Sequence, residues 1–453
     1  MPSILFHIAP AVSHFYSSFK IAKPLQNSGY KIIYIGIEMF RSVVEEAGYK
    51  YELLDNFASH HYNLEKEGLI KSFYNCFISR IKKQHNKISK SNIYPLEKRI
   101  KEISPDLVFI DVQIISLSIY YQQFGFKVAT VCMMPFPGKD TLVPPFNSRL
   151  IPKQKLIYKL YINYLWFKIK TKNWLSLLFS KLISFGLDEI TTVKRFASET
   201  GFEFKELFDY SRVFVFGFKH LNEFVLVPKY FDFPRPDLQN VHFIGLGIER
   251  YRENDITNVR YMSVIEYIKN IKTKDKTIKL IYCSLGTLTS LNMKKAERFF
   301  KKIALLSPSF AKCYFILSLG ESYDIQKLLP IPHNMFVFTR VPQIDILSYT
   351  DIMITHGGMN SILECIEMEV PMLVYPLSKK WDQPGNSARV VYHRLGLRGD
   401  INHDSTRTIA KKISELNFNQ SYYKTNVSKM KEKFERNSRQ DEVVKLIEVL
   451  IEN

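Results

Sequence analysis

Disulfide chemistry and structural zinc are the first things missing from this chain. Its 453 residues hold five cysteines, Cys76, Cys132, Cys283, Cys313 and Cys365, odd in number and far apart, with no C-x-x-C pair and no histidine at ligand spacing. Thiols kept reduced inside a cell are the expectation. No basic region precedes the short apolar run of MPSILFHIAP, so this start reads as a first strand and not as a signal peptide. Nowhere do apolar residues run uninterrupted for the ~18 positions of a spanning helix. The nearest stretch, Leu156 to Phe185, is broken by Lys159, Lys168, Lys170, Lys172 and Lys181. A cytoplasmic protein is therefore expected. Repeats, low-complexity tracts and nucleic-acid-binding motifs are also absent, so nucleic acid is not expected as a partner. Acidic residues are scarce: 44 Asp and Glu against 63 Lys and Arg give a formal charge of +19 and a pI near 9.4. Such a balance favours anionic company, whether nucleic acid, a membrane surface or phosphorylated small molecules, and charge alone does not choose among them. Between Asp140 and Asp188 there is no acid at all. The apolar, basic pattern of 150–185 within that gap reads as an amphipathic helix pair that covers a greasy cleft or leans on an anionic membrane, or as a domain helix with solvated lysines.

What is present is an ordinary globular composition, 46% hydrophobic and 24% charged, enough for two packed cores. Residues 3–9 read as a buried strand, followed by a loop with Pro10 and His14, a helix to about Ser28, Gly29 as its stop, and a strand from Lys31 to Gly36. Further strand-like tracts at Tyr49–Leu54, Leu107–Ile110 and Lys127–Cys132 alternate with helical patterns, the signature of a parallel sheet covered on both faces. Three prolines, Pro228, Pro234 and Pro236, mark a domain boundary. A second series of alternating helices and strands follows, and a long charged helix from Tyr422 to about Ile451 ends it. Two α/β domains are expected, 1–240 and 241–421, with the helix of 422–453 packing back on the first.

The densest chemistry lies in Arg340 to Asp400. A short strand, Asp351 to Thr355, runs into His356, Gly357 and Gly358, and a helical pattern opens at Asn360 and Ser361. Paired glycines let a ligand approach the backbone, and the helix start behind them offers unpaired N–H groups and positive dipole to a phosphate. A second strand, Met372 to Pro376, leads to Asp382 and Gln383, so two strand ends deliver polar residues to one sheet edge, where ligands bind in open α/β folds.

The string HGGMNSILECIEMEVPMLVYP followed by DQPGNSARV resembles the nucleotide-sugar motif of the family 1 glycosyltransferases. HIAPAVSHFYSSFKIAKPLQNSGYKIIYIG, FDFPRPDLQNVHFIGLG and IYCSLGT resemble the same family in the expected order. The resemblance implies the GT-B fold, two Rossmann-like parallel-sheet domains facing across a cleft, the first for the acceptor and the second for the donor. It gives the donor diphosphate to His356, Gly357 and Gly358, with Asn360 and Ser361 at the helix start and Ser284, Gly286 and Thr287 in the turn after a strand. It gives the ribose to Glu364 and the sugar hydroxyls to Asp382 and Gln383. The base falls to the R-V-P-Q box, Arg340, Val341 and Gln343. Many eukaryotic members carry a stacking Trp where Arg340 stands, so backbone groups near Val341 take on more of the base reading, and UDP is expected over dTDP.

On the acceptor side the resemblance makes His14 the general base and Asp111, directly after the strand LVFI, the carboxylate that orients it. It implies an inverting displacement at the anomeric carbon. No D-x-D motif stands at a strand end, so neither a metal nor any cofactor beyond the nucleotide-sugar co-substrate is expected. The expected acceptor is a lipophilic small molecule, polyketide, terpenoid, carotenoid or phenolic, with Phe15, Tyr16, Phe57, Tyr62, Phe136 and Phe146 as candidate lining, and the expected sugar is glucose. The competing readings are a GT-B epimerase acting on the nucleotide sugar alone and a basic nucleic-acid or membrane-surface binding protein that retains the fold.

Overall fold

The computed structural model describes residues 2–54, 96–186, 188–202, 208–214, 217–245, 258–286, 292–437 and 440–452. Thr287, Phe57, Tyr62 and Cys76 lie outside the described residues. The remaining cysteines are free and buried.

Strands β1 (Ser3–His7), β2 (Lys31–Gly36), β3 (Lys50–Leu53), β4 (Leu107–Asp111) and β5 (Val128–Cys132) belong to the first domain, as does a separate antiparallel pair, β6 (Phe208–Asp209) and β7 (Gly217–Phe218). With β8 (Glu223–Val225) and β9 (Val241–Phe243) they build a seven-stranded parallel sheet ordered β3-β2-β1-β4-β5-β8-β9. The second domain holds β10 (Lys279–Ser284), β11 (Cys313–Ser318), β12 (Met335–Phe338), β13 (Ile352–Thr355), β14 (Met372–Val374) and β15 (Gly396–Arg398), ordered β12-β11-β10-β13-β14-β15 and again parallel throughout. Central strands such as SILFH, LVFID and IMIT are buried at every position, which is why they read as continuous apolar runs and not as alternating ones.

In each sheet the strand order reverses at one place, and a crevice opens there at the carboxyl ends of the strands. In the first it lies between β1 and β4, in the second between β10 and β13. Helix α1 (Val12–Asn27) leaves the first crevice, and α3 (Met359–Glu367) leaves the second. Helix α2 (Leu156–Ile183) lies between them in sequence, and α4 (Gln383–Tyr392), α5 (Gln420–Arg436) and α6 (Gln440–Glu452) follow α3.

Three expectations change. β9 pairs with β8 in the first sheet, so the first domain runs past 240 to at least Phe243. Within 150–185 there is one continuous helix, α2, from Leu156 to Ile183, and not a pair. The final helix is two: α5 packs Val427 and Met430 against the second domain beside Met353 and Ile362, whereas α6 packs Val443 and Ile447 into the first domain's core beside Ile4 and Phe15.

One apolar cluster is shared by both domains, with Val225, Val227 and Phe231 on one side and Tyr282, Met353 and Leu363 on the other. Within this interface lies a buried charge group. Asp232, in the connection between β8 and β9 of the first domain, accepts from Arg389 Nε at 2.8 Å and pairs through its other oxygen with Arg235 at 2.7 Å, all three nearly inaccessible. Arg389 stands on α4 of the second domain, with its guanidinium 4.7 Å from the Phe233 ring. Close by, the carbonyl oxygen of Phe146 meets α4 at Gly385, where a Cβ would fall 1.7 Å from it. Arg149 donates to Asp400 at 2.8 Å and to the Gly399 carbonyl at 3.1 Å, adding a second bridge.

Removing one partner of such a buried pair leaves an uncompensated charge, so Asp232→Asn is expected to cost about 3 kcal/mol or more, read as a lowered urea midpoint. Burial alone would raise the Asp232 carboxyl, but Arg389 and Arg235 outweigh it and hold it below the usual range. Its contribution is therefore present above the ordinary carboxylate pKa and disappears as pH falls through the depressed folded value. An unchanged midpoint at neutral pH in Asp232→Asn would overturn this account.

Candidate active site

β1 and β4 are hydrogen-bonded neighbours, so whatever follows the first stands beside whatever ends the second. His14 stands in the first turn of α1 and not in the loop before it. Its Nδ1 is 2.6 Å from Asp111 Oδ2, and Asp111 is fully buried. The same carboxylate accepts from Ala9 N at 3.3 Å and, through Oδ1, from Gln113 N at 2.9 Å. Asp111 thus caps the helical turn that follows it and holds the histidine at once. These bonds fix Nδ1 as the protonated nitrogen and turn Nε2 towards the cleft, where Gln113 Nε2 stands 3.5 Å away. Burial pulls the His14 pKa down, but Asp111 beneath it and Asp382 from the other domain outweigh that, and the net shift is upward.

Across the cleft, Thr355 ends β13 and its Oγ1 accepts from Gly357 N at 3.2 Å, shaping the turn. The His356 ring lies between two glycines: a Cβ on Gly286 would fall 2.3 Å from Cε1, and one on Gly358 2.6 Å from Nε2. Gly286 also has φ +69°, the left-handed region that favours glycine. Burial pushes the His356 pKa down to about 4, so the ring is neutral at pH 7. Its Nδ1 is buried with no hydrogen-bond partner among the described residues. Behind it α3 begins at Met359 with Gly358 as an N-cap that offers no side chain, so its first-turn N–H groups have no acceptor within the helix. Ser284, ending β10, accepts from Gly286 N at 3.4 Å.

The other expected donor-side residues differ in setting. Gln343, Ser361 and Glu364 converge: Gln343 Nε2 donates to Ser361 Oγ at 3.1 Å and to the Glu364 carboxylate, and Tyr282 OH donates to Gln343 Oε1 at 3.3 Å. Asp382 is half-buried, and Oδ2 accepts from Asn386 Nδ2 at 2.7 Å; burial raises its pKa. Others are committed elsewhere. Gln383 is buried, its carbonyl oxygen accepting from Leu377 N at 2.9 Å and Ser378 N at 3.0 Å, so it shapes the loop before Asp382. Asn360 reaches across the cleft: Oδ1 accepts from Ser17 Oγ at 2.9 Å and Lys20 Nζ at 3.4 Å, and Nδ2 donates to the Ser13 carbonyl at 3.1 Å. Val341 is buried in the core and presents only its backbone, whereas Arg340 is exposed.

Phe15, Phe136 and Phe146 are core residues and do not line the cleft: Phe15 stacks on Phe40, Phe136 lies under Arg212 and Arg235, and Phe146 packs on Phe214. Two site residues escaped the sequence reading. Asn386, one helical turn beyond Asp382, also donates to the Gly357 carbonyl at 2.9 Å and so ties the two donor-side loops together; the i, i+4 spacing in DQPGN is its signal. Gln113, two positions after Asp111, carries no comparable signal. Among the described residues no group of three or more His, Cys, Asp or Glu could hold a metal ion.

Residues 219–436 match the UDP-glucoronosyl and UDP-glucosyl transferase family. An uncharacterized UDP-glucosyltransferase, YdhE of Bacillus subtilis, is 30% identical over 176 residues, 39% of this chain and 42% of the relative. Zeaxanthin glucosyltransferase of Pantoea ananas is 37% identical over 146 residues, 31% of this chain and 32% of the relative. The matched stretches thus span less than half of these relatives' lengths. The solved structure of the kitacinnamycin glycotransferase superposes with a TM-score of 0.68 at 18% identity, over 99% of this chain and 100% of that one, a likeness of fold. With the sugar-nucleotide motif, the two facing parallel sheets and these matches, the chain has the GT-B fold and over residues 219–436 is similar to the family 1, UDP-glycosyltransferase-like glycosyltransferases.

Proposed function

We propose that the protein transfers a sugar, glucose first among candidates, from a UDP-sugar to a hydroxyl of a lipophilic small molecule, with inversion and without a metal ion. The observation that carries this reading is the His14–Asp111 pair facing the glycine-flanked His356 turn across one cleft. The name of the Pantoea relative supports glucose as the sugar. No further cofactor is invoked.

In the proposed step, His14 Nε2 takes the proton of the acceptor hydroxyl while its oxygen attacks the anomeric carbon. The bond from that carbon to the diphosphate oxygen breaks, and the electron pair leaves with UDP. Asp111 stays ionised, holds the imidazole in its tautomer and stabilises the imidazolium that forms. Charge grows on the departing diphosphate. Backbone N–H groups at the start of α3 and the neutral His356 ring can donate to it, fixed dipoles in a site partly shielded from water. Glu364, positioned by Gln343, is the acceptor for ribose hydroxyls, and Asp382, held by Asn386, for those of the sugar. The base is read by backbone near Val341 with Arg340 beside it, which favours UDP over dTDP.

The base must be neutral to act, and its pKa lies above the ordinary 6.5. The rate is therefore expected to rise with pH through a limb above that value and then level. Asp111→Asn removes the charge that raises the pKa, so the limb moves to lower pH while the plateau falls. His14→Ala is expected to lower kcat by about a hundredfold or more, with the thermal shift produced by UDP unchanged. Full activity of His14→Ala on alcohol or phenol acceptors would remove His14 from the mechanism.

Turnover is expected to persist in excess EDTA, and His356→Ala to reduce kcat by about a hundredfold through loss of one donor to the leaving group. Loss of activity in EDTA that Mg²⁺ restores would overturn the metal-independent reading.

A further inference from the structure

Helix α2 is the part of the fold that the proposed transfer leaves unexplained. Its 28 residues extend about 42 Å at 1.5 Å per residue. Only Ile162 and Trp166 are buried, and they lie on one seam with Asn173. That seam is anchored by polar bonds: Trp166 Nε1 donates to the Val143 carbonyl at 3.0 Å, and Asn173 Nδ2 to the carbonyls of Arg212 and Phe214 at 3.2 Å each. Directly opposite, helical spacing aligns Leu156, Leu160, Tyr164, Phe167, Trp174 and Leu178 in one stripe. All are exposed, Phe167 at 67% and Trp174 at 60%. Eleven of the 25 exposed large hydrophobic side chains among the described residues belong to this single helix.

The charges are arranged around the stripe. Lys159, Lys170 and Lys181 fall along one flank and Lys168 and Lys172 along the other, all exposed. Eight basic residues and no acid occur between Asp140 and Asp188. A spanning helix is excluded, because no helix of the described residues is long and apolar enough to cross a membrane. A second copy of the same face would bring lysine flanks against lysine flanks. An apolar strip bordered on both sides by cations instead fits a helix lying in the plane of an anionic lipid surface, its stripe at the acyl boundary and its lysines among the headgroups.

We propose that α2 is an interfacial anchor that seats the protein on an anionic bilayer. The loop beneath it gives this placement a use. Val143, which holds Trp166, is followed by Phe146, whose carbonyl touches Gly385 three residues after Asp382. The anchor therefore rests on a loop that bridges the cleft, and an acceptor dissolved in the bilayer would enter beside it. That last step rests on the proposed transfer to a lipophilic acceptor; the binding itself does not.

The test is co-sedimentation of the full chain with phosphatidylcholine vesicles, with and without phosphatidylglycerol. Binding to the anionic vesicles is expected, weakened by salt, with a blue shift in the emission of the exposed Trp174. Each lysine near such a surface multiplies the binding constant about fivefold. Lys168→Glu/Lys170→Glu/Lys172→Glu is therefore expected to weaken it by about a hundredfold or more, and Phe167→Asp by about tenfold. Both variants should keep the wild-type thermal shift with UDP, which separates loss of anchoring from failure of the donor site. No sedimentation with anionic vesicles, binding that survives both variants, or a protein dimer abolished by Phe167→Asp without any lipid binding would each overturn the proposal.

Discussion

A cleft between two domains is only as well defined as the contact that sets their distance, and here that contact is the buried meeting of Arg389 with Asp232. An ion pair so far from water is a poor source of net stability, since desolvation cancels much of the attraction. Its value is geometric. A guanidinium that donates through Nε and Nη2 to one carboxylate oxygen, with a phenyl ring beneath it, has very few acceptable positions. Arg389 shares α4 with Asn386, and α4 opens directly after Asp382, so fixing the arginine fixes the loop that faces His14. The close seat of Gly385 on Phe146 works the same way, because no side chain intervenes to loosen it.

With the cleft so defined, one residue type serves two opposite ends. His14 and His356 start from the same ordinary pKa, yet the first is driven up by two carboxylates and the second down to about 4 by burial alone. A group that must take a proton benefits from carboxylates that stabilise its cationic form. In the proposed transfer, a group that lies where a polyanion departs would serve as a neutral donor, its cost of desolvation already met in the fold. Environments that push like groups apart mark out their roles.

Much of this was legible in the linear text because parallel strands buried on both faces must be apolar throughout, and because the strand–turn–helix at Ile352 to Glu367 carries its own glycine punctuation. What escaped is what long-range contacts decide. A three-residue edge strand, Val241–Phe243, has too few positions to show a pattern, and only its ladder with β8 assigns it to the first sheet. Phe136 and Phe146 sit in loops after a strand, where an aromatic reads as cleft lining; both are instead buried in the apolar cluster shared by the two domains. Gln383 reads as half of a sugar-binding pair, and no linear pattern shows that its amide oxygen also accepts from the backbone N–H groups of Leu377 and Ser378.

Asn360 carries that argument furthest. By motif it belongs to the diphosphate, but its bonds run to Ser13 and Ser17, more than 340 positions away, on either side of His14. A carboxamide has one oxygen and two N–H groups, and here the oxygen accepts from both Ser17 and Lys20 while the nitrogen serves the Ser13 carbonyl. Little of the side chain is left to meet a phosphate, so the anion site at this turn is made chiefly of backbone. Asn360 instead clamps the first turn of α1 to the first turn of α3. Those two turns hold, respectively, the histidine that accepts the proton in the proposed transfer and the N–H groups that would receive the anion. The clamp thus ties together, across the cleft, the two ends of the displacement we propose.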